Sequence, residues 1–159
     1  MVKAMNDQDY MKLALAQAED AAQKGEVPIG AVLVDPANGD IVAKGHNLTI
    51  TNHDPTAHAE IVAIRAACES LNSQRLIGLD LFVTLEPCTM CAAAISFSRL
   101  RRVVFGAMDE KGGGILHGAK FYNQKTCHHR PEIISGVMAE PCGKILKEFF
   151  QARRKNKQN

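Results

Sequence analysis

The chain of 159 residues is long enough to bury a substantial core, and no linker, repeat or low-complexity tract divides it, so we expect a single domain over 1–159. Its net charge of +2 is unevenly distributed: residues 1–80 carry six Lys and Arg against eleven Asp and Glu, whereas residues 81–159 carry thirteen against six. We expect neither a signal peptide nor a membrane span, because no apolar run is long enough, and five cysteines, an odd number, favour a reducing cytoplasm over a disulfide framework.

Hydrophobic periodicity and turn residues predict an alternation of helices and short strands. The predicted elements are, in chain order, a helix over 5–24, strands over 29–34 and 41–47, a helix over 58–71, a strand over 79–85, a helix over 88–98, strands over 102–106 and 132–137, and a helix over 141–153. Because a helix joins the third and fourth strands, these two are expected to run parallel. The pattern predicts a three-layer α/β/α domain with a mixed five-stranded sheet.

The segment His58-Ala59-Glu60 opens the helix predicted over 58–71. Side chains two positions apart point to different sides in the middle of a helix, so both can face one site only if the helix begins here. Thr56 upstream and the apolar residues that follow fit such a start. His58 could then bind a metal ion as a neutral imidazole, and Glu60 could lie beside the metal without ligating it.

The segment Pro87-Cys88-Thr89-Met90-Cys91 follows a predicted strand. If Pro87 lies in the first turn of a helix, Cys88 and Cys91 fall on one side of its N-terminal end, where thiolates are favoured. With His58 they provide three zinc ligands and leave the fourth position to water, which is typical of a catalytic zinc site.

A structural zinc site and a redox pair are the weaker alternatives for this Cys-x-x-Cys segment. A structural site needs a fourth ligand, and the remaining candidates, which are Cys68, Cys127, Cys142 and the other histidines, form no second pair at zinc spacing. His-x-Glu combined with Pro-Cys-x-x-Cys is instead typical of zinc-dependent nucleobase deaminases. We therefore expect one Zn²⁺ per subunit, held by His58, Cys88 and Cys91, with Glu60 as the catalytic proton carrier.

Three further segments contain residues that often have special roles. The triple glycine over 112–114 is not followed by Lys and Ser or Thr, so it predicts a flexible loop near a ligand and not a phosphate loop. Cys127-His128-His129 has ligand-type residues without a partner pair, which favours a polar contact with substrate or a neighbouring subunit over a second metal site. The basic tail over about 153–159 is either merely solvated or contacts phosphates.

Taken together, these segments resemble the bacterial tRNA-specific adenosine deaminases of the cytidine deaminase superfamily. The resemblance extends over nearly the whole chain and rests on segments 26–32, 45–47, 54–60, 83–88, 102–107 and 149–154. It implies a cytidine-deaminase-like fold, a homodimer, and conversion of the wobble adenosine in the anticodon stem-loop of a tRNA, mainly an arginine tRNA, to inosine.

The resemblance also implies which residues contact the RNA. Asn47 would bind the flipped adenosine, the backbone at Ala59 and Glu86 would line its pocket, and Asp109 with Lys111 would contact the anticodon backbone. The two contacts implied for flanking nucleotides are Phe149 and Arg153. No contact is assigned over 112–130, where the sequence departs from the family's commonest pattern.

Two other functions use the same residues. A deaminase of a free base or nucleoside, such as guanine, guanosine or cytosine, needs the same ligands and the same glutamate. A non-catalytic, zinc-stabilised RNA-binding subunit needs the ligands alone, and Glu60 argues against it.

Overall fold

The computed structural model describes residues 4–158, and over this range the chain forms four α-helices and five β-strands. Their bounds are α1 Asp7–Gln23, β1 Gly30–Asp35, β2 Asp40–His46, α2 Ala59–Leu71, β3 Asp80–Leu85, α3 Thr89–Phe97, β4 Arg102–Ala107, β5 Glu132–Ser135 and α4 Ala139–Gln158. A 3-10 turn lies between β4 and β5, at Phe121–Asn123. Within the described range, no helix combines the length and the apolar character that crossing a membrane requires.

The five strands form one mixed sheet in the order β2-β1-β3-β4-β5. Strand β1 is antiparallel to β2 and to β3, whereas β3, β4 and β5 are mutually parallel along the sheet. The predictions of a mixed five-stranded sheet and of a parallel β3–β4 pair are confirmed. Since Leu85 and Ala107 are register partners, the carboxyl ends of β3 and β4 lie side by side. The loops that leave these two strands therefore start at the same edge.

Alternate side chains of the central strands point into two separate cores, so the layers are α/β/α as predicted. One core joins β-strand residues such as Leu33 and Phe105 to alanines of α2 and to Ile95 of α3. The other joins Val32 and Phe82 to α1 and to Cys142 of α4. Both faces of the sheet are therefore buried, which is why β1, β3 and β4 are nearly continuous apolar runs.

The last strand and the last helix differ from their predicted bounds. Strand β5 ends at Ser135 because Gly136 and Met138 both adopt positive φ angles, which end the extended conformation. Helix α4 then begins at Ala139 and continues to Gln158, through the segment predicted as a basic tail. Its Arg, Lys and Gln residues are good helix formers, so the charge density that suggested a tail does not interrupt the helix.

Helix α1 packs directly on β1 at Gly30, where a Cβ atom would overlap the backbone oxygen of Ala14 and the backbone nitrogen of Ala18. We therefore expect Gly30→Ala to lower the free energy of unfolding by about 1–3 kcal/mol through overpacking. The matched control is Gly143→Ala in α4, where the nearest atom to the added carbon is 3.9 Å away. Because Ala is the better helix former by about 0.5–1 kcal/mol, this control should be neutral or stabilising. Urea denaturation measures both, and equal effects would contradict the packing described.

Candidate metal centre and active site

Three ligand-type side chains converge where α2 and α3 begin. His58 is the N-cap residue of α2, Cys88 is the N-cap residue of α3, and Cys91 lies in the first turn of α3. The Nδ1 atom of His58 lies 3.6 Å from the Sγ atom of Cys88 and 3.5 Å from that of Cys91. All three ligand atoms lie within 4.8 Å of one another. The three residues predicted from the two motifs are thus brought together.

These separations fit a tetrahedral zinc ion. With zinc–nitrogen and zinc–sulfur bonds of about 2.0–2.3 Å, ligand atoms on a tetrahedron lie about 3.5 Å apart, which is the spacing of the imidazole and the two thiols. Two sulfurs and one nitrogen are also the donor set that zinc prefers. Over residues 4–158, no other group of His, Cys, Asp and Glu side chains has this spacing.

The helix starts leave these side chains available to a metal. An N-cap residue is usually Ser, Thr, Asp or Asn, whose side chain accepts a backbone hydrogen bond, but neither His58 nor Cys88 makes such a bond. The sequence argument assumed that Pro87 lies in the first turn of the helix. In the structure α3 starts at Thr89, so Pro87 precedes the N-cap residue and lies outside the first turn. Cys88 and Cys91 still share one side of the helix start, since their spacing of three residues is unchanged.

The two thiols have different protonation tendencies. The hydrogen bond with Cys91, together with the neighbouring His58, lowers the pKa of the Cys88 thiol to about 4. The same contact with Cys88, together with burial, raises the pKa of the Cys91 thiol. The protein therefore favours one thiolate on its own, and the positive end of α3 adds to this preference.

The Glu60 carboxyl lies next to this cluster but outside the set of three ligands. It is in the first turn of α2, is only 4 % exposed, and burial raises its pKa. Ala59, between Glu60 and His58, is fully buried. A carboxyl that is buried beside a metal site and resists ionisation is suited to carrying protons.

A pocket of about 240 Å³ opens over the cluster. Its walls are formed by Ile29, His58, Glu60, Leu85, Glu86, Cys88, Asp109 and Gly112. Apolar groups from Ile29, just before β1, and from Leu85 of β3 thus face polar groups from the start of α2 and from the loops that follow β3 and β4. The volume is small for a ligand pocket, which suits a single planar ring and not a large molecule.

The loop that follows β4 is organised by the buried carboxylate of Glu86, which is 2 % exposed. This carboxylate accepts hydrogen bonds from the backbone N–H groups of Asp109, Ile115, Leu116 and His117 and from the His117 imidazole. Burial by itself raises the pKa of Glu86, but these hydrogen bonds outweigh it and lower the pKa. The sequence reasoning placed the Glu86 backbone at the pocket and missed this role of its side chain.

The sequence predicts a flexible loop at the triple glycine, but the structure shows that this segment is closely packed. A Cβ atom at Gly113 would overlap the Glu86 carboxylate, and one at Gly114 would overlap the backbone of Thr89. The Gly114 N–H also donates to the carbonyl oxygen of Pro87 at 2.8 Å. Glycine is needed here because the loop backbone approaches the start of α3 closely.

A second buried carboxylate, Glu26, holds the segment that precedes His58. It accepts hydrogen bonds from the Ile50 N–H at 3.2 Å and from the N–H and hydroxyl groups of Thr51 at 2.7 and 2.6 Å. Burial raises the pKa of Glu26, yet these hydrogen bonds lower it overall. Sequence reasoning did not assign Glu26 a role, although an acidic residue just before an apolar strand was a signal that it could be buried.

The residues implied as RNA contacts occupy different places. Asn47 is buried, and its N–H donates to the carbonyl oxygen of the pocket residue Ile29 at 3.1 Å. Lys111 is exposed at the end of the Asp109 turn.

The two residues implied on α4 do not line the pocket. The guanidinium of Arg153 lies over the ring of Phe149, 4.8 Å from its centre, and donates to the carbonyl oxygen of Gly25 at 3.1 Å. These contacts join α4 to the turn between α1 and β1, one residue before Glu26. Arg153 is therefore held in place, and Arg154 and Lys157 remain exposed.

Cys127-His128-His129 has a packing role in the structure. Cys127 is buried 3.7 Å from the Ser96 hydroxyl, and that hydroxyl donates to the carbonyl oxygen of His129. The His129 imidazole contacts the carbonyl oxygen of Leu100 at 2.6 Å. These bonds fasten the loop to the end of α3, and the three residues belong to no metal-binding group over the described range.

Comparison with known proteins identifies close relatives. The sequence model for the cytidine and deoxycytidylate deaminase zinc-binding region matches residues 4–107. The chain is similar to the tRNA-specific adenosine deaminase of Agrobacterium fabrum, with 52 % identity over 91 % of this chain and 94 % of that protein. The tRNA-specific adenosine deaminase of Bacillus subtilis is 48 % identical over 95 % of this chain and 92 % of its own length.

A solved structure is also similar to this chain. It comes from a study of A-to-I editing by tRNA:A34 deaminases at the wobble position of transfer RNA, and it is 53 % identical to this chain. It superposes with a TM-score of 0.84 and covers 86 % of this chain and 98 % of its own.

The hydrogen bonds of Glu26 generate a prediction about pH. We expect Glu26→Gln to lower the free energy of unfolding by about 1–3 kcal/mol at pH 7, because one oxygen acceptor is replaced by a donor. Folding lowers the pKa of Glu26 below its ordinary 4.5. The contribution of this carboxylate is therefore complete well above pH 4.5 and is lost as pH falls through the lowered pKa.

The measurement is thermal unfolding of the wild type and Glu26→Gln between pH 7 and pH 3. The difference between the two proteins should be constant near neutral pH and should narrow in acid. Loss of bound metal in acid affects both proteins alike and cancels in the comparison. If the difference in unfolding temperature between the two proteins widened as pH fell, the role assigned to the Glu26 carboxylate would be contradicted.

Proposed function

Since the chain belongs to the cytidine and deoxycytidylate deaminase family and, within it, to the tRNA-specific adenosine deaminases, we propose that it converts the wobble adenosine of a tRNA anticodon loop to inosine. The reaction is a hydrolytic deamination. The observation that carries the proposal is the convergence of His58, Cys88 and Cys91 with the non-ligating carboxyl of Glu60 in one pocket.

His58, Cys88 and Cys91 would hold one Zn²⁺ per subunit, through the Nδ1 atom of the imidazole and the two sulfurs. When bound, zinc in such a three-ligand site supplies an activated water at neutral pH. The N-terminal ends of α2 and α3 bring the three ligand atoms to the spacing that a zinc ion requires.

Glu60 carries the protons. Hydrolysis adds the oxygen of water to the ring carbon that bears the amine, and ammonia leaves. The Glu60 carboxylate would take one proton from the attacking water and deliver it to the adjacent ring nitrogen, then take the second proton from the hydroxyl group formed on the ring carbon and give it to the departing amine, which leaves as ammonia while the carbonyl forms. Burial raises its pKa, which suits a group that must act first as a base and then as an acid.

The base is recognised inside the small pocket. Asn47, whose N–H donates to the carbonyl oxygen of the pocket residue Ile29, would provide its side-chain amide as a donor and an acceptor for the flipped adenine, and the backbone at Ala59 and Glu86 would complete the polar wall. Ile29 and Leu85 provide the apolar surface for the ring. A loop nucleotide is already unpaired, so flipping it costs less than from a duplex.

The remaining RNA contacts come from two surfaces. Asp109 and Lys111 follow β4 at the rim of the pocket, where the anticodon backbone would pass. Helix α4 presents Phe149 and Arg153 to flanking nucleotides, with the exposed cations Arg154 and Lys157 beside them. These cations supply the salt-dependent part of the affinity. The substrate implied by the family resemblance is mainly an arginine tRNA.

An exposed apolar surface supports a homodimer. Phe97 is 73 % exposed at the end of α3, Met90 lies two turns earlier on the same helix, and Ile64 of α2 lines the adjoining groove with Phe97. A second copy of the chain would cover this surface. We also propose a cytoplasmic location, which the tRNA substrate and the five unpaired cysteines favour.

The direct test uses an arginine anticodon stem-loop RNA with adenosine at the wobble position. The wild type should form inosine, and Glu60→Gln should lose at least about 100-fold in kcat, because a general acid–base group is removed. Glu60→Gln should still contain one zinc per chain by elemental analysis, since Glu60 is not a ligand.

The control substrates are free guanine, guanosine, cytosine and adenosine, on which we expect no activity. Salt-insensitive deamination of a free base or nucleoside, with none of the stem-loop, would favour a small-molecule deaminase. Full activity of Glu60→Gln would contradict the assigned proton carrier.

The proposed dimer surface generates a second prediction. Phe97→Glu should shift the protein from dimer to monomer in analytical ultracentrifugation, because it removes the apolar contact of the ring and requires a carboxylate to lose its hydration in the interface. The matched control is Phe150→Glu, at an aromatic residue that is 43 % exposed on α4. The two variants should differ in sedimentation. A wild-type monomer at micromolar concentration would rule out this surface as a stable interface.

A further inference from the structure

Both ends of the loop over 109–117 are fastened to one carboxylate. The Oε1 atom of Glu86 accepts from the Asp109 N–H at 3.1 Å and from the His117 imidazole at 2.8 Å. The Oε2 atom accepts from the N–H groups of Ile115, Leu116 and His117 at 3.2, 2.9 and 3.2 Å. The loop has no regular secondary structure, and apart from the Gly114 bond to Pro87 and the turn at Asp109, these bonds are what hold its two ends.

The same loop carries part of the pocket wall. Asp109 and Gly112 line the pocket, and the Asp109 side chain accepts from the N–H groups of Lys111 and Gly112 at 3.2 and 2.9 Å. These bonds close a small turn whose first residue is tied to Glu86. The position of both wall residues therefore follows from the position of the Glu86 carboxylate.

Glu86 is itself held firmly. Its N–H donates to the carbonyl oxygen of Ala107 at 2.8 Å, which continues the β3–β4 pairing beyond Leu85, and Cys88 follows two residues later. The Glu86 side chain thus joins the segment that carries two metal ligands to the loop that forms the opposite wall.

Five donors require an acceptor-only group. An ionised carboxylate has two oxygens and about four lone-pair sites, and all can accept. A glutamine amide at this position would turn an N–H₂ group toward one set of donors, so one end of the loop would be released. Glutamine preserves the size of the side chain and leaves the backbone bond to Ala107 unaffected.

We infer that the Glu86 carboxylate is a positioning residue that sets the loop over 109–117 against the substrate, and so governs how the wobble nucleotide and its neighbours are seated. This inference rests on the proposed function. It assigns to the Glu86 side chain a role in binding the RNA, separate from the proton transfers of Glu60.

The test compares Glu86→Gln with the wild type on the anticodon stem-loop. Glu86→Gln should raise KM about 10-fold or more, which corresponds to the loss of at least one buried charge-assisted hydrogen bond. Its kcat at saturating RNA should change far less than in Glu60→Gln, and its zinc content should stay at one per chain. Hydrogen exchange should quicken at the amides of 115–117 and not at those of β1 and β3.

The matched control is Glu110→Gln, an exposed residue of the same loop. Both variants remove one negative charge, which reduces repulsion of the RNA phosphates. If charge alone mattered, KM for the RNA would therefore be unchanged or lower in both variants. A higher KM in Glu86→Gln alone has the opposite sign and requires the loop. His117→Asn, which loses one of the five bonds, should give an intermediate KM and guards against misfolding of the first variant.

If the wild type is active and Glu86→Gln has an unchanged KM, this inference is overturned and the proposed function is unaffected. A parallel loss of zinc and kcat would also overturn this inference, because Glu86 would then be supporting the metal ligands. A folded, zinc-loaded wild type that forms no inosine would overturn the proposed function and this inference with it.

Discussion

The site depends on holding three ligand atoms within a few ångströms of one another, and two helix N-termini set that spacing. His58 and Cys88 are the N-cap residues of α2 and α3, so small shifts of either helix would separate the ligands. Helix α2 is fixed by its close approach to β2, where a Cβ atom at Gly45 would lie only 2.7 Å from the carbonyl oxygen of Ala59. Helix α3 is fixed by the short turn from β3. The sheet therefore aligns the three proposed metal ligands.

Three glutamates are buried, of which Glu60 and Glu86 line the pocket, and their environments separate their tasks. Glu26 and Glu86 accept several hydrogen bonds each, which lower their pKa, and as stable carboxylates they hold the segment before His58 and the loop after β4, respectively. Burial dominates at Glu60 and raises its pKa, so this carboxyl can gain and lose a proton. The same residue type is thus suited to anchoring loops or to carrying protons, according to the donors around it.

The sequence predicted those parts of the molecule that depend on local spacing. Cys88 and Cys91 lie three residues apart, and His58 and Glu60 lie at a helix start, so their roles follow from helix geometry. Glu86 and His117 are 31 residues apart, and no periodicity relates them. The triple glycine likewise approaches Thr89 and Glu86 only in the folded chain, so its sequence predicts flexibility and not close packing. The sequence predicts a tail at the basic end of α4 because positive charges are dense there, although the same residues also have high helix propensity.

The most direct measurement is X-ray diffraction at the zinc absorption edge from crystals of the purified protein. We expect one zinc peak per chain, bonded to the His58 Nδ1 atom and to the sulfurs of Cys88 and Cys91 at about 2.0–2.3 Å, with the Glu60 carboxylate near the metal but outside its ligand set. Zinc ligated by Glu60, or bound at another group of residues, would contradict the assignment of ligands and proton carrier from which the proposed reaction follows.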